Sequence, residues 1–128
     1  MKPFCEIVVQ DVLPAVRALV AKELMEKYTM TQTDVAERLG VTQAAVSQYI
    51  RHLRGYKVKA LVKDSAVMKE IDKLAKAIAH GEMNAIVAMN ELCLICRIIR
   101  KRKIICAVHR DSSPSLEKCT VCMEKSPC

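Results

Sequence analysis

Two C-x-x-C pairs give this chain its clearest capacity for chemistry. Cys93-Leu-Ile-Cys96 and Cys119-Thr-Val-Cys122 lie twenty-two residues apart, with Cys106 in the gap. Two thiolates at this spacing reach one metal centre together, and a second pair completes a four-thiolate site. Cysteines that only fill a core have no reason to recur in pairs. The type of centre is argued from the surroundings. Zinc knuckles place Gly or Pro in or beside each pair to turn amides toward sulfur, and neither pair here has that glycine. The first pair sits among Leu92, Leu94, Ile95, Ile98 and Ile99. Arg97, Arg100, Lys101, Arg102 and Lys103 follow. An apolar wall with nearby cations suits an anionic thiolate cluster. The expectation is therefore an iron–sulfur cluster of the 4Fe–4S kind. Its ligands would be Cys93, Cys96, Cys119 and Cys122, with Cys106 as a substitute. A structural zinc site is the alternative. His109 reads as an ordinary histidine, Cys5 as a small buried hydrophobe, and Cys128 as a thiol at the chain end.

A second set of residues suits hydrogen bonding to base edges. Thr42, Gln43, Ala44, Ser47, Gln48 and Arg51 fall on one side of a short helical stretch. Gln pairs bidentately with adenine, Arg with guanine, and an Ala methyl touches the thymine methyl. A helix face built only for solubility would carry more Glu and Lys. The stretch from Arg51 to Lys63 then contains no acid. It would flank the groove and meet phosphates, which fix register and make affinity salt-dependent.

These side chains need a scaffold, and the residues around them predict one. Thr31 caps a helix, with Asp34 three residues on as in a capping box. Val35, Ala36 and Leu39 face inward. Gly40 supplies the left-handed turn. Val41 buries and Thr42 caps the second helix, whose inner face is Val46, Tyr49 and Ile50. Upstream, Asp11 is the expected cap of a supporting helix over 12–28, with Pro14 in its first turn. Gly55 should end the second helix. A short strand is expected over 56–61. A helix capped by Asp64 or Ser65 should run over 66–80, with Val67, Ile71, Leu74 and Ile78 as its apolar stripe. A last helix is expected over 83–100, its stripe including Ile86, Val87, Met89, Asn90 and Cys93. It is apolar on more than one side, which suggests a subunit interface.

Composition agrees with an all-α chain. It has 128 residues, of which 52% are hydrophobic and only 3% aromatic, so its core must be aliphatic. Three glycines and four prolines leave few turns. The net charge of +7 suits a nucleic-acid partner. The longest apolar stretch is interrupted by Asn90, Glu91 and Arg97, which argues against a membrane span. No signal-peptide pattern is visible, so a cytoplasmic protein is expected. In that compartment cysteines serve metal or redox chemistry more than disulfides. A thiol oxidoreductase would need its C-x-x-C at a helix N-terminus in a βαβ setting, which is absent, so no enzyme is expected. The expected division is a DNA-binding domain over 1–63 and a helical dimerisation and metal-binding domain over 64–128.

The run Thr31 to Ile50 resembles the helix-turn-helix of lambda-repressor-like transcription regulators. More widely, Cys5-Glu-Ile-Val-Val, Val12-Leu-Pro-Ala-Val-Arg17 and Leu39-Gly-Val-Thr-Gln-Ala-Ala-Val-Ser-Gln-Tyr49 resemble a family of archaeal helix-turn-helix regulators. The tail, with Leu92-Cys-Leu-Ile-Cys96, Ile105-Cys-Ala-Val-His109 and Pro114 to Cys122, is similar to the cysteine-rich half of many of them. The resemblance implies a regulator that binds double-stranded DNA as a homodimer, with a ligand or redox input through the tail.

Overall fold

The computed structural model describes residues 4–53 and 56–104, together with 106, 110, 115, 118 and 119. Every regular element among the described residues is helical. The chain opens with α1 (Phe4–Ile7), continues through a π-helical turn (Val8–Val12) and enters α2 (Leu13–Lys27). Then come α3 (Gln32–Leu39), α4 (Gln43–His52), α5 (Tyr56–Val62), α6 (Ser65–Ala79) and α7 (Ala85–Lys101).

The core is organised around α2. Ala15, Val16, Ala18, Leu19, Val20, Ala21 and Leu24 are all buried, so this helix is covered on most of its circumference. It packs chiefly against α4 on one side and α6 on another. From α6, Val67, Ile71, Leu74 and Ile78 enter the same aliphatic cluster. Asp64 caps α6 by accepting from the amides of Ala66 (3.0 Å) and Val67 (3.3 Å). Its other oxygen accepts from Arg102 Nε at 2.5 Å, which ties the end of α7 to the start of α6. Lys73 and Glu91 add a second ion pair between these helices.

Three local expectations are corrected. Asp11 does not begin a helix: the chain is already helical from Phe4 and crosses Asp11 inside the π turn. The cause is Pro14, which has no N–H and crowds the carbonyl four residues before it. A wide turn, in which the Leu13 amide donates to Val8 O, relieves that crowding and carries the helix past the proline. Residues 56–61 are helical, not a strand. Val58 and Leu61 are both buried, and a spacing of three suits one face of a helix.

The third correction concerns α7. Its core-facing residues are Ile95 and Ile99, with Leu92 and Cys96 packed beside them. Ile86 is 68% exposed and Met89 60%, and Val87, Asn90 and Cys93 are exposed as well. Only the C-terminal half of α7 lies deep against the core. The apolar surface of its N-terminal half has no cover within the described residues.

Candidate nucleic-acid interface

Two capped helices and the turn between them form the candidate interface. At the start of α3, Asp34 N donates to Thr31 Oγ1 at 3.2 Å and Thr31 N donates to Asp34 Oδ2 at 3.0 Å. This reciprocal pair satisfies two amides that the helix leaves open. The bonds to Thr31, backbone first and side chain second, hold the Asp34 carboxyl below its ordinary pKa. The helix ends at Gly40, whose φ of 68° and ψ of 33° are left-handed. The Val41 amide then reaches back to Ala36 O at 3.0 Å, closing a Schellman-type turn. Immediately afterwards Thr42 Oγ1 accepts from Ala45 N at 3.1 Å and starts α4. The two helices are held at close approach by Val35, Ala36 and Val46, all at most 5% exposed. Ala36 permits this because it is small.

This packing decides which face of α4 is free. With Val46 buried, and Ala45, Tyr49 and Ile50 turned partly inward, Gln43, Ala44, Gln48 and Arg51 are exposed and Ser47 is half-buried. Ala44, Ser47, Gln48 and Arg51 follow the three-four-seven spacing of one helical stripe. Thr42 is exposed at its head, with the hydroxyl oxygen already used in the cap. The sequence holds no carboxylate between Glu37 and Asp64, so α4, α5 and the residues between them carry positive charge alone. Arg51, Lys59 and Lys63 are exposed there. The expected stop at Gly55 lies outside the described residues, and α4 closes with the Leu53 amide donating to Ile50 O.

Sequence reasoning missed one residue of this surface. Gln32, the first residue of α3, accepts from Gln43 Nε2 through its Oε1 at 3.0 Å. The bond fixes the Gln43 amide while leaving its own oxygen and one N–H available. An eleven-residue separation gives no periodic signal, so only the crossing of the two helices reveals it.

Residues 22–55 match the family model HTH_3, described as helix-turn-helix. This segment is a helix-turn-helix. The matched span runs from the last part of α2 to just past α4, and so takes in the end of the supporting helix, the turn and the exposed amide face. That family is one of DNA-binding regulatory domains. No curated protein and no solved structure matches the chain.

The expected thiolate ligands are only partly within the described residues. Cys93 is exposed on α7, and Cys96, one turn on, is half-buried against the core. Cys106 is half-buried and Cys119 exposed. Cys122, His109 and Cys128 lie outside the described residues, as does the side chain of Cys5. Among the described residues, no three His, Cys, Asp or Glu side chains come together as a metal site. Of the cations expected beside the pair, Arg97, Lys101, Arg102 and Lys103 are exposed and Arg100 is buried. No helix among the described residues is long and apolar enough to cross a membrane.

Proposed function

We propose that the chain is a sequence-specific transcription regulator that inserts α4 into the major groove of double-stranded DNA. The observation that carries this is the outer face of α4: small and amide side chains, exposed, on a helix whose inner face is locked by Val46. Gln43, Ala44, Ser47 and Gln48 would meet base edges, Arg51 a guanine or a phosphate, and Thr42 the backbone at the helix start. Lys59 and Lys63 would add phosphate contacts. Selection from random duplexes followed by fluorescence anisotropy tests this. Gln48→Ala should weaken the selected site by about 1–3 kcal/mol and leave non-specific DNA nearly unchanged. Unchanged affinity for the selected site would misplace the reading face.

The functional division we propose keeps 1–63 for DNA and 64–128 for assembly and input, in a cytoplasmic homodimer. The uncovered apolar side of α7, with Ile86 and Met89, supports a contact between two copies. Two half-sites one helical turn apart would then be read together. For the tail we propose a thiolate-bound iron–sulfur cluster, with structural zinc as the alternative. Cys93 and Cys96 on successive turns of α7 fit two ligands of one centre, Cys119 and Cys122 would supply the others, and Cys106 is the substitute. When bound, such a cluster makes the segment sensitive to oxidation. Thiolate ligation adds folding free energy to the part of the chain it joins. Anaerobic purification with visible absorbance and metal analysis distinguishes the two centres. A colourless protein with stoichiometric zinc would remove redox sensing. Metal removal that leaves operator affinity untouched would separate the tail from DNA binding.

A further inference from the structure

A cavity of about 610 Å³ lies where the helix-turn-helix meets the C-terminal helices. Its volume is within the range of small-molecule sites. Val16, Val20, Leu74 and Ile78 line it and are nearly or fully buried, so they form an apolar floor. Ala88 and Leu92 of α7 close one side and Tyr49 of α4 another. Gly40 and Val41 belong to the wall, so an occupant touches the turn that sets the angle of α4.

The charged groups of the lining are Arg17, Arg38 and Glu37, all exposed. Two guanidinium groups face one carboxylate, leaving one positive charge in excess. Arg38 is also drawn on by Asp34, whose carboxyl it helps to hold ionised. Arg17 makes no ion pair among the described residues. It stands exposed on a helix whose adjacent residues, Val16 and Ala18, are fully buried. An apolar floor below a guanidinium with no assigned partner is the chemistry that recognises an organic monoanion.

We infer that this cavity binds a small carboxylate or sulfonate with an apolar body, its anionic end on Arg17. The inference does not depend on which bases α4 reads. It is also separate from the proposed contact between copies, because Ala88 lies on the side of α7 opposite Ile86.

The test uses the full chain with 8-anilinonaphthalene-1-sulfonate as anionic probe and N-phenyl-1-naphthylamine as neutral control. One saturable site is expected, with a Tm that rises as the anionic probe is added. Arg17→Gln should weaken the anionic probe about tenfold, the loss of one charge-assisted hydrogen bond, and leave the neutral one within about twofold. Ala88→Phe, which fills the cavity, should weaken both. Lys69→Gln, which removes an exposed positive charge on α6 outside the cavity, should weaken neither. If Ala88→Phe does not fold, the contrast between the two probes in Arg17→Gln still decides. Equal losses of both probes in Arg17→Gln would overturn the inference, as would loss in Lys69→Gln. A Tm lowered by the probe would place it on unfolded chains and have the same consequence. Probe release as the protein dimerises would make a second copy the occupant and also overturn it.

Discussion

The Gln32–Gln43 hydrogen bond makes a quantitative prediction about how the amide proposed to read a base is held. Replacing Gln43 with Ala removes a bidentate contact worth about 1–3 kcal/mol to a matched base. Replacing Gln32 with Ala leaves that contact possible but lets the Gln43 amide swing. The 3.0 Å bond between them is neutral and near the surface, so its loss should cost about 0.5–1.5 kcal/mol of binding. Part of that is side-chain entropy now lost on binding and not already lost in the free protein. The double variant should bind no worse than Gln43→Ala alone, because nothing remains for Gln32 to position. The coupling energy is then about 1 kcal/mol, the same loss counted once. Anisotropy titrations of the four proteins on one selected duplex, at fixed salt, measure it. Thermal unfolding should differ little among the four, since the partners are exposed or half-exposed. The reasoning is refuted if Gln32→Ala costs as much in the Gln43→Ala background as in the native one. That result would mean Gln32 touches DNA by itself or does not position its neighbour.

Gly40→Ala should destabilise the protein by about 1–2 kcal/mol through backbone strain alone. A β-carbon there meets nothing within 4 Å, so Gly40→Asn, which tolerates left-handed φ, should lose less; calorimetry separates them. Equal losses would point to a clash that the structure does not contain. The Asp64 carboxyl is held below the ordinary carboxylate range, first by the Arg102 hydrogen bond and then by the cap amides. Its stabilising contribution is complete above the unfolded pKa and fades as pH falls through the depressed folded value. Asp64→Asn should therefore be less stable than the native chain at neutral pH and converge on it in acid, measured by urea unfolding from neutral pH down to about pH 2. Parallel curves would show that the carboxylate charge is not what Arg102 holds.

The motif was legible because each of its parts has a local cause. Thr31 and Thr42 cap, Gly40 turns, and Val35, Ala36 and Val46 recur at helical spacing, so three short-range rules agree. The stripe on α6 was legible for the same reason: Val67, Ile71, Leu74 and Ile78 leave only one face to bury. Asp11 misled because a helix cap and a polar residue inside a π turn look alike in sequence. Residues 56–61 misled because a short segment fits either period, and only the core under Val58 and Leu61 chooses. On α7 the apolar residues surround the helix, so periodicity could not say which of them faces inward. That choice belongs to tertiary packing, which buried Ile95 and Ile99 and left Ile86 and Met89 outside.

The position of α7 also limits how the two halves can influence each other. It lies against α6, and α6 against α2, which in turn supports α4. A constraint at Cys93 and Cys96 can reach α4 through those close-packed layers or along α7 through Leu92 and Ala88, which border the cavity beside Tyr49. Aliphatic side chains at zero exposure resist compression, so such a signal moves whole helices or does nothing. The cavity beside Gly40 and Val41 is differently placed, because its occupant would touch the turn directly. An effector there shifts DNA affinity only by the difference between its affinities for the two arrangements of α4. Arg17 and Ala88 lie outside the proposed reading face, so variants at those positions would change the difference without touching a proposed base contact. Variants at Cys93 and Cys96 act beside Leu92 in the cavity wall, so a double-mutant cycle with Arg17→Gln measures how far the two routes are coupled.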